Sequence, residues 1–199
     1  EISTEPTDSL NRLASNDGPD VLAISIAHYP AVADTYQLLP HGGSMGEGYG
    51  PIVIARSPLS IEELAQRTIA VPGLSTTAYT TLRMIMDFEP VIIPISPYER
   101  IFDALEANEV DAGLIIHEGR LTFGEYGFHQ IIDIGEWWSN QTGGLPLPLG
   151  GNAIKRSLGP NAIRDISALL HQSIHYALEN IDESIDWLLS RDGPLDTRE

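Results

Sequence analysis

The chain of 199 residues has no cysteine, and Lys155 is the single lysine among its eleven basic residues. Without cysteine there is no disulfide, no thiol nucleophile and no Cys-based zinc or iron-sulfur site. Scarce positive charge set against 28 Asp and Glu gives a formal net charge of -17. That balance argues against nucleic acid and anionic membranes as partners, because both require clustered positive charge. The acidity also fits a high-salt habitat, a reading that unchanged stability between low and high salt would contradict. No apolar run approaches the length of a membrane-spanning helix and no signal-peptide pattern opens the chain, so the expected location is the cytoplasm. The first residue is Glu1 rather than methionine, and we therefore expect a processed or truncated product.

What is present is length enough for a real core, as one large domain or two small ones. Residues 1–18 are polar, with Leu10 and Leu13 at helical spacing and Asp8 or Ser9 as N-cap, which predicts a surface helix closed by Gly18-Pro19. A buried strand over Asp20 to Ser25, a short helix over Ile26 to Ala33 and a brief strand over Tyr36 to Leu39 follow. The Gly-rich segment His41 to Pro51 lacks the Gly-Lys-Ser/Thr ending of a phosphate loop and reads as a flexible connection. Ile52 to Arg56 is a strand, and Ser60 before Glu62-Glu63 caps the next helix. From there a rhythm appears: strand Thr68 to Val71, helix Thr76 to Asp87, strand Val91 to Ile95, helix Pro97 to Asn108, strand Leu114 to His117. Such alternation predicts an α/β fold with βαβ units and a parallel sheet. A strand over Gln130 to Gly135, a proline-extended stretch over Leu145 to Asn152, and helices over 160–179 and 182–190 complete the chain.

Chemistry is expected at two places. Asp111-Ala112-Gly113-Leu114-Ile115-Ile116-His117-Glu118 is an apolar strand ending on a histidine, and α/β proteins bind ligands at the carboxyl ends of such strands. Val71-Pro72-Gly73-Leu74-Ser75-Thr76-Thr77-Ala78-Tyr79 runs from a strand into a helix start bearing three hydroxyls, where backbone N–H groups and the helix dipole favour an anion. The plainer reading of that stretch is that Ser75 and Thr76 only cap the helix. Together with Ser25 at another strand end, these groups suggest general acid/base chemistry on a small acidic molecule. Glu118 is discounted as a direct partner of His117, since adjacent strand residues point to opposite faces. Nothing suggests a Ser-His-Asp triad. The other histidines form no metal set; His171 and His175 lie four apart on a predicted helix without a carboxylate pattern, so a solvated face is expected. Trp137-Trp138 reads as packing, and Arg83, Arg100 and Arg120 are each candidates to meet an anion.

Four stretches carry a family resemblance: Gly50-Pro51-Ile52-Val53-Ile54-Ala55-Arg56, then Ala70-Val71-Pro72-Gly73 with Thr76-Thr77-Ala78-Tyr79, then Ala112 to Glu118, and Leu145-Pro146-Leu147-Pro148-Leu149-Gly150. In order and spacing the chain resembles the 1,4-dihydroxy-6-naphthoate synthase family of the futalosine route to menaquinone. The resemblance implies a two-lobed fold like type II periplasmic binding proteins, with residues 1–55 and 153–199 in one lobe, 56–152 in the other and the site in the cleft between them. It implies a carbon-carbon lyase that converts cyclic dehypoxanthinylfutalosine to 1,4-dihydroxy-6-naphthoate and dihydroxyacetone without a cofactor or metal. The family's catalytic base falls on His117, and its substrate-binding positions fall on Ala23, Ile24 and Ser25 and on Thr77 and Ala78. Some members carry lysine where Ala23 stands, so the charge pairing with a substrate carboxylate is expected from the helix start. Members also usually begin with a further strand and continue through further helices, so this chain is expected to be incomplete at both ends. Two alternatives stand beside the lyase: a chorismate dehydratase of the same pathway and fold, and a non-catalytic solute-binding protein for a small carboxylate.

Overall fold

The computed structural model describes residues 5–93, 99–116 and 119–190. In chain order the first elements are α1 (Thr7–Ser15), β1 (Val21–Ser25), α2 (Tyr29–Val32), β2 (Tyr36–Leu38), β3 (Ser44–Gly46) and β4 (Ile52–Ala55). Then come α3 (Ile61–Leu64), β5 (Thr68–Val71), α4 (Thr77–Ile85), β6 (Glu89–Ile92), α5 (Glu99–Glu106) and β7 (Ala112–Ile115). The last are α6 (Gly119–Thr122), β8 (His129–Asp133), α7 (Ile134–Thr142), β9 (Leu147–Lys155), α8 (Gly159–Glu179) and α9 (Ile181–Leu189). Parts of the expected strand over 91–95 and helix over 97–108, together with His117, Glu118 and the polar tail after Ser190, lie outside the described residues.

Among the described residues the strands form two sheets. In the first, β9 pairs antiparallel with β1, β2 and β3, with Gly150 opposite Ser25 on one edge and Ser44 on the other. The second has the order β6-β5-β7-β4-β8. The expectation of a parallel sheet holds only where helices link the strands: β5 is parallel to β6 and to β7. The strand β4 lies antiparallel to both its neighbours, and the first sheet is antiparallel throughout. The reason is connectivity, since a parallel pair needs a crossover such as α4 or α5 supplies, whereas β4 enters its sheet directly from the other one. Sheet membership places all of β4 in the second sheet and all of β9 in the first. The chain therefore passes between sheets after Gly46 and again between Asp133 and Leu147.

Burial explains why the second sheet's strands read as continuous apolar runs. All four residues of β4 and of β7 are buried, because helices cover both faces. Val53, Val71 and Leu114 pack on one side with Leu64, Leu82 and Ile134, while Ile52, Ile54 and Ile115 pack on the other with Ile101, Phe102 and Leu105. The first sheet rests on a smaller cluster of Ala14, Leu22, Ile24, Val32, Tyr36 and Ala153. Local signals did the rest. Ser60 accepts the Glu63 N–H at 3.2 Å while Glu63 accepts the Ser60 N–H at 2.8 Å, the reciprocal cap that starts α3.

The Gly-rich segment differs from the expected flexible connection. Ser44–Gly46 adds to the edge of β9, and Asn152 Nδ2 donates to the carbonyls of His41 and Gly42, each at 3.2 Å. Backbone groups that the sequence left without partners are thus paired by one strand and its side chain. The helices α8 and α9 form as expected but contribute no buried residue. On α8, His175 lies 3.2 Å from Glu179 one turn on, a carboxylate partner where none is expected from the sequence. Among the described residues, no helix is long and apolar enough to cross a membrane.

Candidate active site

The two sheets meet around a cavity of about 380 Å³, within the size range of small-molecule sites. Ala23, Ile24 and Ser25 line it from the end of β1, and Thr77 and Ala78 line it from the start of α4. The structure thus brings five of the six residues singled out in the sequence to one pocket. The sixth, His117, lies outside the described residues, while Ile116 and Arg120 on either side of it line the cavity.

The hydroxyls at the start of α4 do different work from that expected. Thr76 is the N-cap, accepting the Tyr79 N–H at 3.2 Å and donating to the Gly73 carbonyl at 2.9 Å. Ser75 donates to Asp8 Oδ1 at 2.7 Å, across to α1. Thr77 donates to the Leu149 carbonyl at 2.7 Å and accepts from the Ala27 N–H at 3.2 Å. Two of the three therefore tie the start of α4 to α1 and to β9 of the first sheet, and the third holds its own helix. What α4 still offers a ligand is backbone: the N–H groups of Thr77 and Ala78 have no intrahelical acceptor, because they belong to the opening turn.

At the centre of this clasp is Asn11, which is fully buried. Its Nδ2 lies 3.0 Å from Ser25 Oγ, from the Ser75 carbonyl and from Ser75 Oγ, and its Oδ1 accepts the Ser25 N–H at 2.9 Å. One amide side chain thus fixes a pocket residue of one lobe to the helix start of the other. The expected cap of α1 is corrected accordingly. Pro6 occupies the N-cap position, and Asp8 is drawn away from capping to accept from Ser75 and from Arg12.

Three further groups shape the cavity. Tyr49 and Gly50 line it from the segment that crosses between sheets, and Gly150 and Gly151 line it from β9. A Cβ on Gly50 would lie 2.7 Å from the Gly135 nitrogen, and one on Gly135 would lie 2.0 Å from the Tyr49 carbonyl, so this crossing depends on two glycines in contact. Of the three candidate arginines, Arg120 alone lines the pocket. Its Nη2 donates to Asp133 Oδ2 at 2.8 Å, and its guanidinium lies 5.3 Å from the centre of the Tyr49 ring. Arg83 is turned to Asp87 at 2.7 Å and to the Phe88 carbonyl.

Comparison with known proteins gives consistent findings. The family model described as menaquinone biosynthesis matches residues 1–196. The chain is 41% identical over 185 residues to a 1,4-dihydroxy-6-naphthoate synthase of Thermus thermophilus, covering 92% of this chain and 66% of that protein. It is 36% identical over 200 residues to the enzyme of the same name from Streptomyces coelicolor, covering 98% and 70%. The chain thus spans about two thirds of the length of these relatives. Among solved structures, a protein of Archaeoglobus fulgidus superposes with a TM-score of 0.90 at 43% identity, covering 98% of this chain and 72% of that one. The alkanesulfonate-binding protein of Xanthomonas axonopodis superposes at 0.65 with 13% identity, covering 94% and 66%. That second likeness establishes the two-lobed, periplasmic-binding-protein-like fold.

Proposed function

The chain belongs to the menaquinone biosynthesis family, and on that premise we propose that it is a carbon-carbon lyase cleaving cyclic dehypoxanthinylfutalosine to 1,4-dihydroxy-6-naphthoate and dihydroxyacetone. The observation that carries this reading is one pocket lined by Ala23, Ile24 and Ser25 from one lobe and by Thr77 and Ala78 from the other. These are the positions at which the resemblance places substrate. Ser25 Oγ accepts from Asn11, which leaves its O–H free to donate to a ligand. The N–H groups of Thr77 and Ala78 receive a substrate oxygen from the opposite side, where the helix dipole reinforces them.

In this reading His117 is the proton acceptor. Removing one proton releases the dihydroxyacetone fragment and leaves an aromatic ring, so a single well-placed base suffices and no cofactor takes part. The substrate is a small carboxylate, nucleic acid is no partner, and the protein works in the cytoplasm.

The test is direct assay of the purified chain with cyclic dehypoxanthinylfutalosine, alongside His117→Ala. The variant is expected to lose about a hundredfold to ten-thousandfold in kcat while still binding the naphthoate product. Wild-type rates in that variant would remove His117 from the mechanism. Turnover of chorismate in place of the futalosine derivative would move the assignment to the dehydratase.

A further inference from the structure

We propose that Arg120 holds the substrate's carboxylate, an assignment that rests on the lyase reading and names the charge partner within its site. Among the described residues lining the cavity, Arg120 is the only one with a charged side chain. The sequence had pointed to the start of α4 for this task. There the hydroxyls of Ser75, Thr76 and Thr77 are engaged by Asp8, Gly73 and Leu149, and the helix end offers only about half a unit of positive charge. A guanidinium offers a full one, in a fork whose geometry matches a carboxylate.

The way Arg120 is held separates this role from a purely structural ion pair. An arginine serving only to pair with Asp133 would turn two N–H groups onto it, as arginine-carboxylate pairs commonly do. Here Nη2 alone makes the bond, at 2.8 Å. The Nε is buried and has no hydrogen-bond partner among the described residues, so the pairing with Asp133 leaves the guanidinium's hydrogen-bonding capacity incompletely used.

Asp133 is itself occupied, its Oδ1 accepting the N–H groups of Gly135 and Glu136 at 2.8 and 3.2 Å where α7 begins. Its negative charge is shared with that helix start, so Asp133 orients Arg120 without cancelling it. The Tyr49 ring, its centre 5.3 Å from the guanidinium, adds a cation–π contact to the same group. The residue is thus aimed by an acid and an aromatic ring, both fixed by the backbone that joins the lobes.

The experiment measures binding of 1,4-dihydroxy-6-naphthoate and of its neutral carboxamide to the wild-type chain, Arg120→Gln and Arg120→Lys. The expected result is that Arg120→Gln weakens the carboxylate by about tenfold to a hundredfold and leaves the carboxamide unchanged, with Arg120→Lys in between. A carboxylate-to-carboxamide ratio in Arg120→Gln equal to the wild-type ratio would overturn the assignment, whether both affinities hold or both fall together, and the lyase reading would survive it. A wild-type chain that neither binds the naphthoate nor turns over the futalosine derivative would overturn the lyase reading and this assignment with it.

Discussion

At the scale of single residues, the site depends on polar groups that are satisfied across the lobes, and Asn11 carries most of that burden. Replacing it by alanine removes the donor shared by buried Ser25 and half-buried Ser75. Asn11→Ala is expected to lower stability by about 2–3 kcal/mol and to weaken substrate binding through the misplaced Ser25, checked by thermal melting together with KM. An unchanged melting temperature would show that Asn11 is not the clasp. Nothing in the sequence marks this residue. Leu10 and Leu13 set the apparent apolar stripe of α1, yet Leu13 is 41% exposed while Asn11 is fully buried. Ser25 and Thr77 stand out in the sequence for a physical reason, since a strand end and a helix start are where unpaired backbone groups gather, whereas Ala23, Ile24 and Ala78 enter only through the family resemblance. Asn11 reaches the site only through tertiary contact, which no local pattern encodes.

At the scale of elements, the chain's strands and helices were largely readable because burial and caps are local. The buried strands β4, β5 and β7 announced themselves as apolar runs, and α3 and α4 by Ser60 and Thr76 at their N-caps. Strand direction was not readable, since it depends on which sheet each strand joins. The apparent alternation therefore predicted too much parallel pairing. The short β3 is not readable for a related reason: the strand it pairs with is β9, about a hundred residues later in sequence. The crossing segment and α7 supply a test of element packing. Gly135→Ala puts a methyl into the Tyr49 backbone and is expected to cost about 2–3 kcal/mol, whereas Gly124→Ala, whose added Cβ meets nothing within 4 Å, should stay within about 0.5 kcal/mol. Denaturant unfolding of the two variants separates these outcomes, and equal stabilities would contradict the packing described.

At the scale of the whole molecule, two sheets of different character share one cavity, and an acidic chain of net charge -17 brings a single arginine to its lining among the described residues. The segments joining the sheets also build the pocket, through Tyr49 and Gly50 on one side and Asp133 behind Arg120 on the other. Binding and the relation between the lobes are therefore linked by the same residues. The most direct test of the account is product analysis after mixing the purified chain with cyclic dehypoxanthinylfutalosine. It predicts 1,4-dihydroxy-6-naphthoate and dihydroxyacetone in equal amounts at a rate proportional to protein, and full recovery of the starting compound with a well-folded chain would contradict it.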